Sequence, residues 1–313
     1  MKSLFGRFFN FLSTASQKKV FEEKSALTID QIAAIIRVYS ADDADSDTIT
    51  SSIEMDAKIQ HVKCYFSSIH DNDYLVFKHF TDPGEAFIDI GANAGYSAAS
   101  MWATGSRMGV ISFEPIASYE KNLKEIGERA PFPHDYRICG LSDTPGSCVF
   151  YMPVCNGMGI SAYTLIDLEI FKRRADIYAM TFYNEMKNLY NAEINTFSIY
   201  KFESLVSTLD TVLEQEKFTV NTDKIAVMKL DTEGHEFYVL KGSLATIEKH
   251  QPLLMIEHHN GDIEKLLREM GYTQVYRHGV NLSHGEQDKD NVFNYFYMAA
   301  GKINYYRELG LYL

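Results

Sequence analysis

The stretch Asp89-Ile90-Gly91-Ala92-Asn93-Ala94-Gly95 constrains this chain more than any other, because it is a glycine turn with an acid at its mouth. The short apolar run Ala86-Phe87-Ile88 leads into it, and Asp82-Pro83-Gly84 stands before that run. A breaker followed by continuous apolar residues predicts a turn feeding a buried strand. After the glycines, Tyr96 to Thr104 reads as a helix. Strand, glycine turn and helix together open a doubly wound α/β domain, whose ligands bind beyond the carboxyl ends of the strands.

Charge narrows the ligand. A dinucleotide pyrophosphate is anionic and prefers the spacing G-x-G-x-x-G, held by backbone N–H groups at a helix N-terminus. Here Asn93 replaces the second glycine, and Asp89 places a carboxylate near the turn. A ligand carrying a sulfonium and an ammonium suits that acid better, which points to S-adenosylmethionine. Two further strands end in acids. Gly109 to Phe113 runs into Glu114-Pro115, about where a carboxylate can accept from ribose hydroxyls. NAD-binding proteins use an acid in the same way, so Glu114 alone does not separate the two cofactors. Lys224 to Asp231 is a third such strand, continued by Thr232-Glu233-Gly234-His235-Glu236.

Taken in order, Phe87 to Tyr96, Phe113-Glu114-Pro115, Gly140 to Asp143, Lys229 to Glu236 with Leu240-Lys241-Gly242, and Leu254 to Glu257 resemble the FkbM family of S-adenosylmethionine-dependent O-methyltransferases. The likeness extends from about residue 82 to the C-terminus. It implies a class I, Rossmann-like α/β fold: a seven-strand, mostly parallel sheet flanked by helices, with its last strand antiparallel. It also implies cofactor contacts from Asp89, Gly91, Ala92, Asn93, Gly95 and Tyr96 at the turn. Glu114 and Pro115 would lie at the ribose, Leu141, Ser142 and Asp143 at the adenine edge, and Asp231 would brace the site. The stretch 156–200 is longer than the family pattern, and His235 stands where the family often has a small residue.

The domain reading is a helical N-terminal extension over 1–80, then a methyltransferase domain over 81–313, with 156–200 a substrate-side insertion or lid. Tyr163, Phe171, Tyr178, Phe182, Tyr183, Tyr190 and Phe197 fall in that insertion. Aromatic faces there could stack on sugar rings, or could simply pack on one another. In the extension, Ile32, Ile35, Ile36 and Tyr39 mark a helix capped by Thr28 or Asp30, and a further helix is expected over about 53–68. Ala41 to Asp47 reads as an exposed acidic loop. Later, Tyr136 to Leu141 predicts a third strand, Ser147 to Met152 a short strand or hairpin, and Val206 to Leu213 a helix. Asn294 to Ala299 alternates as a strand that pairs with Thr273 to Tyr276.

The net charge of −12 over 313 residues disfavours a polyanionic partner, so no nucleic-acid substrate is expected. Cys64, Cys139, Cys148 and Cys155 show no zinc spacing and read as free thiols of a cytoplasmic protein. No apolar run reaches the length of a membrane span. Leu4, Phe5, Phe8, Phe9 and Leu12, with Lys2, Arg7, Lys18 and Lys19, form an amphipathic pattern over residues 1–20. It fits a helix packed on protein, and also a peripheral contact with an anionic membrane. Oligomeric state is not legible.

Methyl transfer to a hydroxyl needs in-line positioning and a base that takes the hydroxyl proton. The catalytic candidates are His259, His258, His235 and Glu233, with Asp231 and Glu257 at the same strand ends. Asp231, Glu257 and His258 could instead hold a divalent metal, but no tight ligand motif is present and the metal-free reading leads. The expected reaction is O-methyl transfer to a sugar, glycan or polyketide-like small-molecule acceptor. A nicotinamide-dependent oxidoreductase and a non-catalytic scaffold that keeps the fold are the alternatives.

Overall fold

The computed structural model describes residues 26–39, 69–285 and 294–313. The expected helix over 53–68, the acidic loop 41–47 and the amphipathic segment 1–20 lie outside the described residues. Twelve strands are present among the described residues: β1 (Ala86–Ile90), β2 (Gly109–Phe113), β3 (His134–Arg137), β4 (Gly140–Leu141), β5 (Gly146–Cys155), β6 (Met158–Gly159), β7 (Phe197–Ser207), β8 (Ile225–Leu230), β9 (Leu253–Ile256), β10 (Tyr272–His278), β11 (Asn281–Ser283) and β12 (Tyr295–Ala299). The chain divides into two compact units, one containing residues 149–202 and the described residues before 53, the other holding the rest.

The larger unit is built on a sheet of order β11-β10-β12-β9-β8-β1-β2-β3. The run from β9 to β3 is parallel throughout. The pairs β9–β12, β12–β10 and β10–β11 are antiparallel. The sheet is therefore mixed and eight-stranded, which corrects the seven strands expected. The extra strand arises because Gly279, at φ +61°, turns β10 back on itself into a hairpin with β11.

Every residue of β1, β2, β8 and β9 is buried. That is why these segments read as continuous apolar runs: helices and loops cover both faces of a parallel sheet. Neighbouring residues point to opposite faces, so Phe87, Val110, Val227 and Met255 join one apolar cluster while Ile88, Ile111, Met228 and Leu254 join the other. Tyr74, Phe77 and Phe80, from the 3₁₀ segment Asn72–His79 and its end, complete the first cluster. Each such side chain contributes about 1.5–3 kcal/mol of burial.

Two local expectations change. Tyr136 to Leu141 splits, with β3 in the main sheet and β4 pairing in parallel with the end of β7. The predicted helix over 206–213 is the last two residues of β7 and then a helix over Leu209–Gln215, capped by Thr208. The Thr208 hydroxyl accepts from Thr211 N–H and so places the helix start after the strand.

The smaller unit combines helices with β6, most of β5 and the first part of β7, strands of a second sheet of order β4-β7-β5-β6. Thr28 caps the helix Ile29–Val38 in a reciprocal box with Gln31. That helix buries Ile32, Ala33 and Ile36, and the helix Ala175–Leu189 buries Ala175, Ala179, Phe182 and Met186, spacings of three and four that define one apolar face each. Phe171 and Phe182 are fully buried in this core, with Tyr163, Tyr178, Tyr190 and Phe197 packed against it. These aromatics of the insertion thus pack on one another. Among the described residues no helix is long and apolar enough to cross a membrane.

Candidate active site

β1 delivers Asp89 to its penultimate position, and the turn that follows is shaped by left-handed backbone at Gly91, Asn93 and Gly95. Gly91 has no substitute in this fold. Its φ is +79°, and a Cβ there would stand 1.8 Å from the carbonyl oxygen of Asp231. The helix Tyr96–Ala103 starts directly after Gly95.

Asp89 is fully buried and does not open onto solvent. Its Oδ1 lies 3.3 Å from Lys229 Nζ, and its Oδ2 accepts from the Ser112 hydroxyl. Lys229, itself 4% exposed, also donates to the Gly91 carbonyl at 2.8 Å and faces Asp231 Oδ2 at 3.2 Å. Burial alone would lower the Lys229 pKa, but Asp231 and Asp89 outweigh it and hold the ammonium charged. Burial likewise works to raise Asp231, yet Lys229 keeps that carboxyl below the ordinary range.

Glu114, at the end of β2, accepts from Asn93 N–H at 2.7 Å and from Ile116 N–H at 2.9 Å. Its first visible work is therefore to clamp the glycine turn. Burial raises it to about 7 despite those bonds. Pro115 follows at the bend, and Ala92 is buried beneath the turn. Leu141 belongs to the core, while Ser142 and Asp143 are tied to the helix Glu236–Lys241. His235 Nε2 lies 2.9 Å from the Ser142 hydroxyl, Lys241 donates to Asp143 at 2.7 Å, and a Cβ on Gly242 would meet the Ser142 carbonyl at 2.0 Å. The imidazole of His235 stacks on Tyr238. The structure thus places His235 with the expected adenine-edge segment.

The strand ends of β8 and β9 bring the remaining candidates together. Burial, with Asp231 beside it, lifts Glu257 to about 7. Burial, then Glu257 and Asp231, lifts Glu233 to about 9. His258 faces Glu257 Oε2 at 3.1 Å and Glu236 Oε1 at 3.7 Å. Glu236 and Glu257 raise its pKa to about 11, so it stands as an imidazolium at neutral pH. Donor atoms of Glu233, Glu257 and His258 lie within 4.8 Å of one another, whereas the metal set read from sequence paired Asp231 with the last two. His259 turns to Tyr295 and Tyr297, with ring centroids 4.8 and 5.9 Å away.

A cavity of about 260 Å³ opens here, lined by His70, Asp71, Tyr74, Lys229, Asp231, Glu257 and Asn294. Sequence reasoning assigned no role to His70, Asp71, Tyr74 or Asn294. Burial, then the Lys229 charge, lowers His70 to about 4, and its Nδ1 meets the Ser100 hydroxyl at 2.6 Å. Burial and Asp73 raise Asp71 to about 6. Asn294 donates to both Asp71 and Asp73, and Arg277 donates to Asp73 at 2.7 Å. That network holds the segment before β1 over the strand ends.

A parallel core with an antiparallel flank, a glycine turn and acids at successive strand ends forms a methyltransferase domain. The chain belongs to the FkbM methyltransferase family, whose model, Methyltransferase FkbM domain, matches residues 89–273. Among solved structures, the chain is similar to the methyltransferase FkbM from Methylobacillus flagellatus KT, at 14% identity and a TM-score of 0.39. That match covers 86% of this chain and 57% of the other, so this chain corresponds to little more than half of that protein. No curated protein sequence matches significantly.

Proposed function

We propose that the chain is an S-adenosylmethionine-dependent O-methyltransferase acting on a hydroxyl of a small polyhydroxylated acceptor such as a sugar. The observation that carries the reading is the charge arrangement at the glycine turn. Two carboxylates, Asp89 and Asp231, stand against one ammonium, Lys229. The surplus is one negative charge, and since Asp89 is covered it is presented by Asp231, whose side chain is 33% exposed and lines the cavity. That surplus suits a cationic ligand and opposes a pyrophosphate.

The residues present therefore fit the cofactor. The turn from Gly91 to Gly95 and Asp231 would hold its amino-acid part, Glu114 its ribose, and Leu141 to Asp143 its adenine. S-adenosylmethionine supplies, when bound, a methyl group on an electrophilic sulfonium. The protein's share is to orient the acceptor hydroxyl and to accept its proton. Glu257 suits that second task best: it lines the cavity, and with its carboxyl near 7 it is a substantial base at neutral pH. Protonated His258 would sit beside it as a fixed positive charge, and His235 would serve the cofactor rather than the acceptor. Incubation with methyl-labelled S-adenosylmethionine and a panel of sugars tests the reading. Transfer of label to oxygen supports it, and transfer to nitrogen or to none of the panel contradicts the acceptor assignment.

A further inference from the structure

Among the described residues Lys229 is the lysine with the least exposure, and lysine is almost never buried unless its charge is matched. Its ammonium donates to the Gly91 carbonyl at 2.8 Å and is ion-paired with Asp89 at 3.3 Å and Asp231 at 3.2 Å. Charge balance alone would need only the acids. The bond to Gly91 is different in kind, because it grips the backbone of the turn itself. That turn already touches the end of β8, since the Asp231 carbonyl lies where a Gly91 Cβ would be. One side chain thus fixes the glycine turn of β1 and the cavity-facing acid of β8 in a common frame.

We propose that Lys229 is the positioning residue for the amino-acid end of the cofactor, holding Gly91 and Asp231 in the geometry that receives an α-ammonium group. This rests on the cofactor reading above. Lys229 is buried, and it acts through the groups it holds. Its loss frees the turn and leaves Asp89 buried without its counter-ion, while the clamp of Glu114 on Asn93 and Ile116 and the ties of Ser142 and Asp143 are made without it. The effect should fall on one end of the ligand.

Calorimetric titration of the full chain with S-adenosylhomocysteine and, separately, with 5′-methylthioadenosine, which lacks the amino-acid part, reads that difference. Lys229→Met should weaken S-adenosylhomocysteine binding at least tenfold and 5′-methylthioadenosine binding less than threefold. Lys229→Arg, which keeps a cation, should fall between wild type and Lys229→Met. Equal losses for both ligands in a variant that melts cooperatively would make Lys229 a general structural residue and overturn the proposal. So would unchanged affinity. If Lys229→Met does not fold, Lys229→Arg carries the same comparison: a cation of altered reach should still cost the first ligand more than the second, and equal losses overturn the proposal. Failure of the wild type to bind either ligand would instead overturn the cofactor reading, and this inference with it.

Discussion

At one edge of the parallel sheet Glu85, just before β1, pairs with Lys224, just before β8, at 3.0 Å. At the opposite edge Asp89, near the end of β1, pairs with Lys229, near the end of β8. The same two strands therefore carry a carboxylate–lysine pair at each end. Lys224 is 48% exposed and is shared between Glu85 and the surface acid Asp82, while the Tyr305 hydroxyl also donates to Glu85. A cavity of about 120 Å³ adjoins it, with Lys249, His250 and Lys302 among its walls. At the Asp89 edge the lysine is buried, the surrounding groups are acids, and a backbone carbonyl of the glycine turn is held as well. A half-exposed lysine on a buried glutamate at a strand start anchors a turn. A buried pair with surplus acid and a gripped loop has the makings of a ligand site.

If the acid-rich edge is catalytic, Glu257→Gln should lower the rate of methyl transfer by about 10²- to 10⁴-fold while sparing S-adenosylhomocysteine affinity. The wild-type rate should fall as pH drops through about 7, where Glu257 takes up its proton. Stability moves the other way. A carboxyl raised from 4.5 to about 7 costs the fold nothing below 4.5, and its penalty grows with pH until it is complete above about 7. Urea midpoints recorded across that window should therefore depend less steeply on pH in Glu257→Gln than in wild type.

Asp89→Ala leaves a buried ammonium short of a partner and should cost about 3–5 kcal/mol, seen as a lower denaturation midpoint. A loss below about 1 kcal/mol would mean that Asp89 and Lys229 are not the paired core of this edge. Gly91→Ala should cost about 1–2 kcal/mol for left-handed backbone, with a further overlap against the Asp231 carbonyl, and should abolish cofactor-analogue binding. At the other edge Asp82→Asn removes one exposed partner of Lys224 and should change stability by about 1 kcal/mol or less, with analogue affinity unmoved. An affinity loss there would erase the contrast between the two edges.

The strands of the parallel core were legible because burial on both faces leaves unbroken apolar runs such as Ala86 to Ile88 and Ile225 to Met228. β7 was not, because its residues are mostly half-exposed and show no clean period of two. β11 has three residues, too few to carry a pattern. The acids at the strand ends could be read from position alone. Lys229 carried a signal that passed unused: a lysine inside a wholly buried strand demands partners. His70, Asp71 and Tyr74 reach the cavity through the Asp73–Arg277 pair and through Asn294, contacts between distant parts of the chain that no local pattern announces.

The acid-rich edge is, on this reading, the site of a positively charged nucleoside. Calorimetry of the full chain with S-adenosylhomocysteine and with NAD tests it most directly. Saturable binding of S-adenosylhomocysteine alone, weakened in Asp231→Ala, is the expected result. Binding of NAD in its place, or S-adenosylhomocysteine affinity indifferent to Asp231, would contradict it.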